Sequence, residues 1–281
     1  MSGTITHAEG RFAGRGGLGL YRQSWRPSGA PRAVVVNLHG LGDHSGLYPT
    51  LVEYLVGRDL AVQSFDLRGN GRSDGPRGHV SAWEDYREDL AGFLTLAAHD
   101  DPGRPIVLIG TSLGGLIALE YALMRPAGLG GVIAVSAPLG AVGVPAPLMA
   151  LGRMLSGIWP RFSLETGMDL SGLARDPAVI EQVLSDPLFH QRATARLSTE
   201  ITAAIARVQE GAAAFALPLL VLHGSDDRMV PPAGSRAFAA RAPSAGTQLI
   251  VYPGAYHALF ADVGREQVLA DVAGWIEARL S

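Results

Sequence analysis

Ser112, Asp227 and His257 are the residues on which chemistry would centre. Ser112 stands in Gly110-Thr111-Ser112-Leu113-Gly114, the G-x-S-x-G spacing, between the apolar run Pro105 to Ile109 and the helix-like stretch Gly115 to Met124. That order of strand, sharp turn and helix lifts a serine hydroxyl into a cleft, and the flanking glycines leave room for a strained turn. A serine hydroxyl is a weak nucleophile until a base takes its proton, and His257, in Gly254-Ala255-Tyr256-His257, offers a neutral imidazole for that step. A carboxylate must then hold the imidazole tautomer and stabilise the transient imidazolium. Gly224-Ser225-Asp226-Asp227 supplies two acids; Asp227 is favoured because it lies where the loop should turn inward before Arg228, with Asp226 the alternative. Attack on an acyl carbon also leaves an oxyanion that needs backbone N–H donors. Leu113, next to the nucleophile, and Leu41, between Gly40 and Gly42, fit that need.

Such a set requires elements that bring four loops to one edge. Two strands, about residues 4–12 and 18–25, read as an antiparallel hairpin joined through Gly14, Gly16 and Gly17. Strands are then expected at 33–38, 61–65, 106–109, 131–136, 219–223 and 248–252. Helices are expected between them, at about 48–57, after Ser81, at 115–124, at 231–241 and at 265–280. The alternation predicts an α/β fold: a mostly parallel sheet with an antiparallel N-terminal edge and helices on both faces. In such a sheet ligands bind at the carboxyl ends of the strands, where all four loops fall, and the order serine, acid, histidine is that of the α/β-hydrolases. The rhythm breaks over 138–216, which shows helical patterns at 147–158, 177–184 and 194–209 and no convincing strand. The expected organisation is a core of 1–137 and 217–281 with a helical cap at 138–216.

Composition narrows the classes. The chain has 281 residues, 47% of them apolar, a formal net charge of −3 and no cysteine. A substantial core is expected, with no disulfide or thiolate site, and the scattered basic residues do not suggest a nucleic-acid partner. No charge falls between Arg125 and Arg153, but the glycines and prolines punctuating that stretch argue against a transmembrane helix. The opening residues lack a basic segment followed by an apolar core, so no secretory signal is seen and a cytoplasmic location is the expectation. His39, Asp43 and His44 match no usual zinc spacing, Gly69-Asn70-Gly71 lacks the third glycine of a dinucleotide loop, and Gly110 to Gly115 has no following lysine for a phosphate loop. Neither metal nor cofactor is expected.

The motifs together resemble the α/β-hydrolases of the monoacylglycerol lipase and lysophospholipase group, which includes serine aminopeptidase-like members. The resemblance rests on His39 to Tyr48, Asp66 to Gly75, Gly110 to Gly115, Gly224 to Asp227 and Gly254 to His257, and within the insert on Arg175-Asp176-Pro177 and Asp186 to His190. Thr111 departs from the group, many members of which carry histidine there. The resemblance implies Asp227 as the acid and the Leu41 and Leu113 amides as oxyanion donors. It also implies a lid whose apolar residues accept an acyl chain, for which Leu148, Leu151, Leu155 and Ile158 form a stripe at helical spacing, with packing onto the core as the competing use. The expected activity is serine carboxylic-ester hydrolysis through an acyl-enzyme, on monoacylglycerols or similar small acyl esters, with transient contact of the cap with a lipid surface. A broad carboxylesterase or lysophospholipase is the alternative, and a non-catalytic binding protein on the same fold a more distant one.

Overall fold

Alternation of side chains along buried strands builds two apolar layers from one sheet. In β3 (Ala33–Leu38), Val34, Val36 and Leu38 join one cluster and Ala33 and Val35 the other. β5 (Ile106–Thr111) divides likewise, with Leu108 on the first side and Val107 and Ile109 on the second. A strand covered on both faces has no polar face to show, which is why these segments read as continuous apolar runs. The computed structural model describes residues 5–140, 146–242 and 246–280.

Among the described residues eight strands form the sheet. β1 (Thr6–Ala13) and β2 (Gly19–Arg26) are the antiparallel edge, and β2 also runs antiparallel to β4 (Leu60–Phe65). The other pairings are parallel, through β3, β5, β6 (Leu129–Val135), β9 (Leu219–Gly224) and β10 (Gln248–Tyr252), in the order β1-β2-β4-β3-β5-β6-β9-β10. On one face lie α1 (Pro49–Val56) and α8 (Arg265–Glu277), sealed by Leu51, Leu55, Val272 and Ile276. On the other lie α2 (Glu84–Asp100) and α3 (Leu113–Leu123), with Trp83, Phe93 and Leu116 fully buried. Each such side chain contributes about 1.5–3 kcal/mol by leaving water. α7 (Ala233–Arg241) connects β9 to β10.

Between β6 and β9 lie α4 (Ala146–Ile158), α5 (Pro177–Ser185) and α6 (Ala195–Gly211). Contrary to the sequence-based expectation, this stretch also contains strands: β7 (Ser163–Glu165) pairs antiparallel with β8 (Arg192–Thr194). Three residues are too few to show a period of two, and their partners are distant in sequence, so local pattern carries no trace of them. α6 packs on the sheet side, its Leu197, Ala204, Ile205 and Val208 sharing the cluster of α2 and α3. Thr194 caps it by accepting the Leu197 N–H at 3.2 Å.

Candidate active site

The turn after β5 is forced by close contacts. A Cβ on Gly110 would lie 2.2 Å from the Gly114 carbonyl oxygen, and one on Gly114 would lie 2.4 Å from the Leu38 oxygen, so neither position accepts a larger residue. Ser112 between them has φ 52° and ψ −119°, a conformation costing a non-glycine residue about 1–3 kcal/mol. Its backbone is held on both sides, the N–H donating to Val135 O at 2.8 Å and the carbonyl accepting from Leu116 N at 3.1 Å. Strain stabilised by its surroundings in this way directs one hydroxyl outward at the N-terminus of α3.

The loops after β9 and β10 meet with equal closeness. A Cβ on Gly224 would come within 2.4 Å of both the Ala255 and Tyr256 carbonyl oxygens. That contact seats His257 Nδ1 2.7 Å from Asp227 Oδ2. The other carboxylate oxygen accepts the N–H groups of Met229 and Val230 at 3.0 and 2.8 Å. His223 is fully buried beneath, its Nε2 donating to Val230 O and lying 3.3 Å from Asp227 Oδ2. Burial alone would raise the Asp227 carboxyl, but His223, His257 and the backbone donors outweigh it and bring its pKa to about 2. Asp227 is 4% exposed, whereas Asp226 faces solvent and binds the Ser225 hydroxyl. Ser136, buried with φ 47° at the end of β6, donates its hydroxyl to His257 O at 2.9 Å and so holds the histidine loop from below.

The loop after β3 approaches from the neighbouring strand, where Leu38 pairs with Gly110. Gly40 sits directly against the nucleophile, since a Cβ there would be 3.3 Å from Ser112 Cβ. His39 is fully buried and accepts the Leu67 N–H on Nε2 at 2.8 Å, so its proton is on Nδ1, which donates to Gly40 O at 2.7 Å. Burial lowers its pKa, consistent with that neutral tautomer. Among the described residues the N–H groups of Leu41 and Leu113 have no hydrogen-bond partner. Ser112, His257, Leu41 and Gly40 line one pocket, whose far walls are Leu170, Leu173, Val179, Val183 and Phe189 from the insert. Its floor is more polar: Thr111, Tyr48 and Asp43, the last two joined by a 3.3 Å hydrogen bond and both driven by burial toward their neutral forms.

A family model described as serine aminopeptidase, S33, matches residues 29–264. The chain belongs to this S33 family of serine hydrolases. It is similar to the monoacylglycerol lipase of Mycolicibacterium smegmatis, 34% identical over 98% of this chain and 99% of the relative. The monoglyceride lipase of Homo sapiens is 30% identical over 98% of this chain and 90% of its own. The crystal structure of the monoacylglycerol lipase of Paleococcus ferrophilus superposes with a TM-score of 0.85 at 33% identity, covering 92% of this chain and 99% of that one. The sheet order and connections described above are thus those of the α/β-hydrolase fold.

In this S33 hydrolase His257 is hydrogen-bonded to Asp227 and lines one pocket with Ser112 and Leu41, and Leu113 follows Ser112 in the chain. The insert's apolar stripe does not join them. Leu151 is 44% and Ile158 74% exposed, Leu155 is half-buried, and none of the three is on the described wall of the pocket. The side chain of Leu148 lies outside the described residues. α4 lies against α6, with buried Ser156 Oγ 2.9 Å from Thr199 Oγ1, while Leu151, Met154 and Ile158 are exposed. The pocket is instead roofed by α5. One side of α5 is tied down by Arg175, whose N and Nε donate to Asp262 at 2.8 and 2.9 Å, and by Ala258 N to Leu173 O at 2.8 Å. The other is tied by His44 Nε2 to Asp186 at 3.0 Å and by His190 N to Gly42 O at 3.1 Å. Asp66, Arg68 and Asp74 brace the loops around the site. Asp66 accepts from Ser45 and Arg72, Arg68 forks onto Asp89, and Asp74 pairs with Arg11.

Proposed function

We propose that the chain hydrolyses monoacylglycerols, or esters of similar size, through an acyl-enzyme on Ser112. The observation that carries the reading is that His257, paired with Asp227, and the strained Ser112 line one pocket walled by apolar side chains and floored by polar ones. His257 Nε2 takes the Ser112 proton as Oγ attacks the ester carbonyl. The oxygen of the tetrahedral intermediate takes its charge against the Leu41 and Leu113 N–H groups. Collapse breaks the bond to glycerol, whose oxygen receives the proton from His257. Water then repeats the sequence on the acyl-enzyme and releases the fatty acid. The aliphatic wall suits the acyl chain, and the hydroxyl-bearing floor suits the small alcohol. The similarity to monoacylglycerol lipases at 33–34% identity supports the same substrate class.

The reading extends to the surface on which such substrates reside. Leu151, Met154, Ile158 and Trp159 expose an apolar patch along α4 and just beyond it, flanked by exposed Arg153 and Arg161, which suits transient contact with a lipid surface.

The test is turnover of a monoacylglycerol against a diacylglycerol, a lysophospholipid and an aminoacyl amide, with the Ser112→Ala variant as control. The monoacylglycerol should be hydrolysed most efficiently, and Ser112→Ala should lose labelling by a fluorophosphonate and several powers of ten in kcat. Preference for the amide would replace the ester reading, and full activity in Ser112→Ala would remove the nucleophile.

A further inference from the structure

Gly42 is held at three points. Its φ of 77° is in the left-handed region, and a Cβ there would lie 1.8 Å from His190 O, so only glycine fits. Its carbonyl accepts the His190 N–H at 3.1 Å, and its N–H donates to Asn70 Oδ1 at 3.2 Å. Two residues earlier, Gly40 O accepts from His39 Nδ1 at 2.7 Å. The peptide groups on both sides of Leu41 are therefore fixed, while the Leu41 N–H itself has no partner among the described residues.

Asn70 reaches Gly42 from the turn after β4 and is 1% exposed. Its side-chain orientation follows from its neighbours: Gly42 N only donates and Arg68 O only accepts, so Oδ1 faces the first and Nδ2 donates to the second at 3.0 Å. The turn itself is closed by backbone bonds, Asn70 N to Leu67 O at 2.9 Å and Ser73 N to Asn70 O at 3.0 Å. The Oδ1 bond adds nothing to that closure; it spans 28 residues and ends one residue from the Leu41 N–H.

We propose that Asn70 is a positioning residue for the oxyanion hole. By occupying the Gly42 N–H it fixes the loop so that the Leu41 N–H, and not its neighbour, points at the carbonyl oxygen of the substrate. A loop donor placed without reorganisation stabilises developing charge far more than one that must be recruited. Asn70 touches no substrate, so its removal should act on kcat and leave ground-state binding of the acyl chain alone. The proposal rests on the ester-hydrolysis reading above.

The experiment compares Asn70→Ala, where water can enter, with Asn70→Leu, which fills the space without an acceptor, using a dissolved short-chain nitrophenyl ester. Rates are taken per active site titrated by the burst of nitrophenol, so that misfolded protein does not count. Asn70→Ala should lose about 10-fold in kcat and Asn70→Leu about 100-fold, with KM within about twofold. Affinity for a trifluoromethyl ketone, whose serine adduct carries an ionised oxygen, should fall by matching factors. Either variant alone decides the matter should the other fail to fold. Unchanged kcat per titrated site, or a loss confined to KM, overturns the proposal. If Ser112→Ala itself still turns over and is labelled, the parent reading fails; if it is inactive while both Asn70 variants run at the unsubstituted rate, only the role of Asn70 fails.

Discussion

Asp226 and Asp227 are chemically identical neighbours that the fold has made into different groups. Asp227 accepts from three donors through both oxygens, with His223 Nε2 3.3 Å away, whereas Asp226 meets water and one serine hydroxyl. Replacing Asp227 with Asn would set an amide against His257 Nδ1 and favour the wrong tautomer, so kcat should drop about ten-thousandfold. Asp226→Asn should stay within about threefold, and comparable losses in the two variants would move the acid. The same enclosure bears on stability. With a folded pKa of about 2, below the ordinary carboxylate value, Asp227 contributes roughly 2 kcal/mol that is fully present above about pH 4 and is lost as pH falls through about 2. Urea midpoints measured across that window should fall more steeply for the unsubstituted chain than for Asp227→Asn.

The elements holding these residues differ in how much of themselves the sequence displays. β3, β5 and β9 are continuous apolar runs because both faces are buried, and their ends deliver Leu41, Ser112 and Asp227; run length and glycine spacing were sufficient to locate them. Ser136 and Asn70 were not legible as parts of the site, because each reaches it through a bond to a residue distant in sequence; His223 is close to Asp227 in sequence but reads only as the end of a strand. The insert was legible as a helical lid, but not which of its helices lines the pocket. The apolar stripe of α4 and the shorter pattern of α5 look alike as periodicity, and only the ties flanking α5 decide which one covers the pocket. A further contact beside them, made by the His190 ring, is pH-sensitive. His190 Nε2 donates to Gly69 O and Nδ1 accepts the Arg192 N–H, an arrangement that requires a neutral ring. Burial, with the Arg77 charge adding to it, lowers its pKa to about 4. The unfolded chain binds this proton first, so the stability His190 contributes is complete above about pH 6.5 and is lost as pH falls through about 4. The Tm should decline across that interval, and His190→Gln should flatten the decline. An identical slope in the variant would show that the contact does not titrate.

At the scale of the molecule, the catalytic pocket and the exposed face of α4 are separate surfaces of one insert, and they carry separable properties. Among the described residues no helix is long and apolar enough to cross a membrane. The most exposed side chains of the patch proposed as the lipid contact are Ile158 at 74%, Trp159 at 60% and Met154 at 53%. Fully transferring one such side chain from water is worth about 1.5–3 kcal/mol, and two that are more than half exposed should together favour an interface by on the order of 2 kcal/mol. The double variant Ile158→Ser, Trp159→Ser should therefore bind phosphatidylglycerol vesicles at least about tenfold more weakly in co-sedimentation, the arginines nearby keeping a residual salt-dependent hold. Because neither residue lines the pocket, turnover of a dissolved short-chain ester should stay within about twofold. Turnover of monoacylglycerol presented in vesicles should fall with the binding. If vesicle binding is unaltered while both activities fall together, the patch belongs to the fold of the insert and not to a lipid contact.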